Sequence, residues 1–111
     1  MIKVFKQMMT FDELLDEVER DQGIRTVLME DLRRFVGAKR IGRNVNSEIT
    51  RELDARGLSH QPKKLPNRKE YKVRIVKRGT AAASLVDAVR QVNHHNDRII
   101  RKAAQTIATS T

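Results

Sequence analysis

LSHQPKKLPNRKEYKVRIVKR, residues 58–78, is where the chain changes its repeat. Upstream, apolar residues recur every three or four positions. Here they recur every two, the period of a strand. Leu58–Pro62 reads as one strand. Tyr71–Ile75 reads as a second, with Tyr71, Val73 and Ile75 on one face and Lys72 and Arg74 on the other. Between them, two prolines and five charged residues make a solvated loop. The hairpin is also where the charge sits. It holds Lys63, Lys64, Arg68, Lys69, Lys72, Arg74, Lys77 and Arg78 against the single acid Glu70, within a chain of net charge +9. Residues 1–57 carry eleven basic and eleven acidic residues and are balanced. A charge block on one element beside a neutral body points to a polyanionic partner and names the element that faces it.

Working backwards, three helices precede the hairpin. Thr10 and Glu13 form a capping-box pattern, and Phe11, Leu14, Leu15 and Val18 follow at helical spacing. Gly23 ends that helix. Ile24–Leu28 is a short apolar run that reads equally as strand or helix start. Leu28, Leu32, Phe35 and Val36 mark a second helix with Arg33 and Arg34 outside, stopped by Gly37. Residues 37–42, GAKRIG, imitate a phosphate-binding GxxxxGK[ST] loop, but Arg43 and Asn44 stand where Lys and Ser/Thr are needed, so a turn is expected. The third helix is expected from an Asn44 N-cap to Arg56, with Val45, Ile49 and Leu53 as its buried stripe and Gly57 as its stop.

Working forwards, residues 81–107 read as one long helix. Leu85, Val89, Val92, Asn96, Ile99 and Ala103 are spaced 4, 3, 4, 3, 4, a heptad seam. A buried Asn96 would pair with its twin and favour a parallel homodimer. Val86, Ile100 and Ile107 widen the stripe and favour packing on the chain's own body instead. The expected organisation is an extension at 1–9, a domain at 10–79, a dimerisation helix at 80–107 and a frayed tail at 108–111.

Composition narrows the function classes. The 111 residues suit one domain, and the absence of cysteine removes disulfides, Cys-type zinc sites and thiol nucleophiles. No apolar run approaches the roughly 18–20 residues of a membrane helix, and residues 1–9 lack the apolar core of a signal peptide. A soluble, cytoplasmic, nucleoid-associated protein with no membrane partner is expected. His94 and His95 are adjacent and point about 100° apart on a helix, so they cannot share a metal. His60 stands alone. No nucleophile–base set, metal site, cofactor motif or nucleotide fingerprint is present, and no enzyme is expected.

The order helix, short apolar run, helix, turn, helix, basic hairpin resembles the winged helix–turn–helix superfamily over about residues 10–78. The resemblance implies an α+β fold, a small winged helix of three helices plus a basic β-hairpin, here with a long C-terminal helix. It implies that helix 44–56 enters the major groove of double-stranded DNA and that 58–78 is the wing. Residue chemistry agrees. Opposite the buried stripe lie Ser47, Thr50, Arg51 and Asp54, with Asn46 on the flank and Arg43 just before the helix. Asn can read adenine, Arg guanine, and Ser or Thr either bases or phosphates. Asp54 departs from the pattern, unless it lies beyond the groove or reads a cytosine amine. Lys63, Lys64, Arg68, Lys69, Lys72 and Arg74 are the phosphate-contact candidates, with Arg68 best placed for a minor groove. The expected role is transcriptional regulation or a phage- or plasmid-type DNA transaction. The alternatives are an RNA-binding protein, which four aromatics and no Trp disfavour, and an adaptor using the C-terminal helix for a protein partner.

Overall fold

The computed structural model describes residues 10–37 and 43–110. Among the described residues the fold is α+β, with five helices and a three-stranded antiparallel sheet. In chain order these are α1 Phe11–Arg20, β1 Ile24–Leu28, α2 Met29–Phe35, α3 Arg43–Ala55, β2 Leu58–Gln61, β3 Lys72–Lys77, α4 Ala81–Arg90 and α5 His94–Ser110. The expected turn at 37–42, the extension at 1–9 and the Arg43 side chain lie outside the described residues, apart from Gly37.

α1 begins as its sequence dictates. Thr10 Oγ1 accepts from the Glu13 N–H at 3.0 Å, and Phe11, Leu14 and Val18 are buried on one stripe. Gly23 closes the following turn at φ 92°, its N–H donating to the Val18 carbonyl at 2.7 Å. Ile24–Leu28, open between strand and helix from its sequence, is β1. The sheet order is β1-β3-β2, so the hairpin's second strand is central and β1 pairs with it on the far side. Val27 stands opposite Val73, and His60 opposite Ile75. Paired residues share a face. Val27, Val73, Ile75 and Leu58 therefore point to the helices, where Leu14, Val18, Met29, Leu32, Ile49 and Leu53 complete the core. Thr26, Gln61, Lys72, Arg74 and Val76 point to the other face.

Five expectations are corrected. The single helix at 81–107 is two helices. The break lies at 91–93, where Gln91 turns extended and Asn93 Oδ1 caps α5 by accepting from the Asn96 N–H at 2.8 Å. α4 packs on the outer face of β3, where Val76 and Ala83 are both buried, so it belongs to the folded body. Residues 108–110 are not a frayed tail but the last turn of α5. Asn44 is not the cap of α3 but its second residue. Tyr71 is not in the second strand; it precedes β3 and is 49% exposed, and its carbonyl accepts from the Met29 N–H at the start of α2.

The fifth correction matters most for function. The loop 62–71 is not wholly solvated. Leu65 is buried in the core cluster, and the loop's far arm is held by α2, whose Glu30 N–H donates to the Lys69 carbonyl at 3.0 Å. One apolar side chain among charges is enough to fold the loop back onto the body, because a fully buried leucine gains about 2 kcal/mol.

Candidate nucleic-acid interface

α3 presents two faces. Ile49 and Leu53 are fully buried and Val45 is half-buried, while Ser47, Thr50, Arg51 and Asp54 are exposed. Because Leu65 draws the loop inwards, the loop stands beside the first two turns of α3. Asn46, Ser47 and Thr50 then line an open groove of about 600 Å³ together with Lys63, Lys64, Leu65 and Asn67. The structure thus brings five of the expected residues together: Asn46, Ser47, Thr50, Lys63 and Lys64.

Hydrogen bonding assigns them different tasks. Asn46 Nδ2 donates to the Leu65 carbonyl at 3.4 Å and to Asn67 Oδ1 at 3.2 Å. A carbonyl only accepts, so the amide orientation is settled and both its hydrogens are spent. Asn46 ties helix to loop and is not free to read a base. Asn67, which the sequence reading passed over, lines the same groove. Its oxygen is held by Asn46, so its amino end is the part left to the groove. Thr50 Oγ1 lies 3.1 Å from His60 Nε2, and His60 Nδ1 lies 2.9 Å from the Pro62 carbonyl. His60 therefore links α3, β2 and the start of the loop.

Asp54 ceases to be an anomaly. Its carboxylate pairs with Arg78 at 2.9 Å, and the same guanidinium donates to the Asp54 carbonyl at 2.9 Å. Arg78 caps the C-terminal end of α3, where a cation complements the helix dipole. Lys77 is likewise committed, to Glu19 at 3.2 Å. Arg68 makes only a loose contact of 3.7 Å with Glu70. Lys63, Lys64, Lys69 and Lys72 are exposed and, with Arg51, have no acidic partner among the described residues.

Not every basic candidate reaches the groove. Lys72 and Arg74 lie on the sheet face opposite α3, where Arg74 meets Gln61 Oε1 at 3.4 Å. Strand alternation forces this, since the residues between them face the core. The basic surface is therefore divided between the groove and the outer sheet face.

The six residues expected at a dimer seam are divided as well. Leu85 and Val89 lie exposed on α4, and Val92, 96% exposed, sits in the break. Ile99 and Ala103 are half-buried on α5. Asn96 is 9% exposed, its Nδ2 donating to the Gln91 carbonyl at 2.9 Å. That bond ties the Asn96 side chain to the break within its own chain.

Behind α3, Arg56 joins elements. It donates to Glu52 Oε2 at 2.7 Å and Asp12 Oδ1 at 2.8 Å, and lies 5.4 Å from the Phe11 ring centre. The hydrogen bond to Glu52, then that to Asp12, raises its pKa further above its ordinary value, so it is a fixed cation. Among the described residues no group of three or more His, Asp or Glu side chains could hold a metal, and no helix is long and apolar enough to cross a membrane. Comparison with family models, curated proteins and solved structures returned no match to this chain.

Proposed function

We propose that the protein binds double-stranded DNA as a winged helix, with α3 in the major groove and the β2–β3 hairpin with its loop as the wing. The observation that supports this best is the shared groove: polar side chains of α3 and two lysines of the loop line one open surface, and the lysines have no acidic partner among the described residues. A major groove about 12 Å wide admits a helix, and flanking lysines neutralise phosphates on either side. Two copies paired through the exposed apolar residues of α4 and the break would present two α3 helices to half-sites about 10 bp apart. The role is that of a transcriptional regulator or a phage- or plasmid-type DNA-transaction factor, working at the nucleoid.

The test is binding of a labelled random-sequence duplex across a salt series. Micromolar binding at low salt is expected, with a log–log slope of about −4 for five or so phosphates. Lys63→Ala with Lys64→Ala should make that slope shallower by about 2, since each phosphate contact contributes about 0.9. Absence of duplex binding at low salt, or a slope unmoved by the double substitution, rejects the groove as the interface.

A further inference from the structure

We propose that His60 presets Thr50 as a hydrogen-bond acceptor, so that the groove selects an amino base, adenine or cytosine, over a keto base at the position Thr50 faces. The inference rests on the reading of the groove as the DNA interface and adds what that interface selects.

The Pro62 carbonyl can only accept, so His60 Nδ1, 2.9 Å away, carries the hydrogen. In a neutral imidazole the other nitrogen then bears a lone pair. Nε2 lies 3.1 Å from Thr50 Oγ1, and the only hydrogen available to that contact is the threonine's own. The hydroxyl proton is therefore turned inwards, and the lone pairs of Oγ1 are what remain for the groove. An isolated threonine rotates its hydroxyl to suit either kind of partner. This one cannot do so without giving up the bond to His60.

Thr50 is exposed and lines the groove with Ser47 and Lys64. In the major groove adenine offers its N6 amino group and cytosine its N4 amino group, whereas guanine offers O6 and thymine O4. An acceptor held at that point bonds the first two and meets the last two with lone pair against lone pair. His60 acts through Thr50, so it is a positioning residue. Its register makes the arrangement possible: opposite Ile75 on the core-facing side of the sheet, it points towards α3, while its neighbours Ser59 and Gln61 point away.

The experiment is selection from a randomised duplex pool with the full chain and three variants, each checked for an unchanged thermal midpoint. The unsubstituted protein should enrich adenine or cytosine over guanine and thymine about tenfold at one position of its site, the scale of one hydrogen bond. Thr50→Val should lose that preference and keep the others, with the slope of affinity against salt unchanged because no phosphate contact is removed. His60→Gln keeps an acceptor near the place of Nε2 and should retain the preference. His60→Asn keeps only the donor to Pro62 and should lose it. A purely structural role for His60 would not separate the Gln and Asn variants. An amino preference that survives Thr50→Val or His60→Asn, or that vanishes in His60→Gln, overturns the proposal. So does enrichment of a keto base, or of neither class, at every position. Failure of the unsubstituted protein to bind any duplex overturns the groove reading first, and this proposal with it.

Discussion

At Gly23 two constraints meet in one residue. Its φ of 92° is a conformation that L side chains rarely adopt, and a Cβ there would stand 2.7 Å from Thr80 Oγ1. Thr80 cannot easily yield. Its hydroxyl donates to the Lys77 carbonyl at 2.7 Å and accepts from the Ala83 N–H at 3.1 Å, capping α4. Gly23→Ala should therefore destabilise the fold by about 2 kcal/mol or more, combining the left-handed penalty with a disturbed cap. A chemical-denaturation midpoint that does not move would contradict this account. The same scale separates the residue type of Asn46 from its surroundings. Its residue type and position suit base reading, but its hydrogens are spent on Leu65 and Asn67, residues 19 and 21 positions away.

Among the elements, the loop 62–71 carries the functional argument. Leu65 places Lys63 and Lys64 beside α3, and the carbonyls of Lys69 and Tyr71 hold the other arm to α2. Leu65→Ala should cost about 2–3 kcal/mol of stability, as large-to-small core changes do. It should also raise the rate of proteolytic cleavage within 62–71 and weaken duplex binding, because the lysines lose their fixed position. Cleavage and affinity both unchanged would mean that the loop is held by its hydrogen bonds alone. The C-terminal helices carry the complementary lesson. Heptad spacing counted along the sequence ran straight through Asn93, yet an asparagine three residues ahead of a backbone N–H is also a cap. The cap prevailed, since Asn96 gained both a capped N–H and a side-chain bond to Gln91.

Over the whole molecule, charge is sorted by pairing. The acids of α1 and the turn after it are largely consumed by Arg20, Arg25, Arg56 and Lys77. The lysines of the hairpin's loop have no such partners among the described residues, so the net charge is expressed there. The radius of gyration, 15.8 Å, exceeds the roughly 13 Å of a compact chain of this length. α5 contributes to this, since its main packing partner is α4. Val89, Val92 and Ile107 are left at 66%, 96% and 66% exposure. If two copies pair through this surface, sedimentation should show a concentration-dependent dimer at roughly 50 µM, and Val89→Asp with Val92→Asp should return it to monomer. A monomer throughout that range would remove pairing from the proposed function and leave the groove untouched.

The sequence by itself determined α1, α3, both strands of the hairpin and the concentration of charge between them. Each of these is written in neighbours: a cap three residues from its partner, an apolar stripe at four, an alternation at two. It left β1 open, because five residues are too few to separate a strand from a helix start without the partner strand. Tertiary structure alone decided that β1 joins β3 and that Leu65 folds the loop inwards. It also decided which side chains remain available to a ligand. Asp54 is neutralised by Arg78, 24 positions along the chain, and Thr50 is oriented by His60 from another element. Such pairings depend on where the backbone returns in space, and spacing along the sequence does not record that.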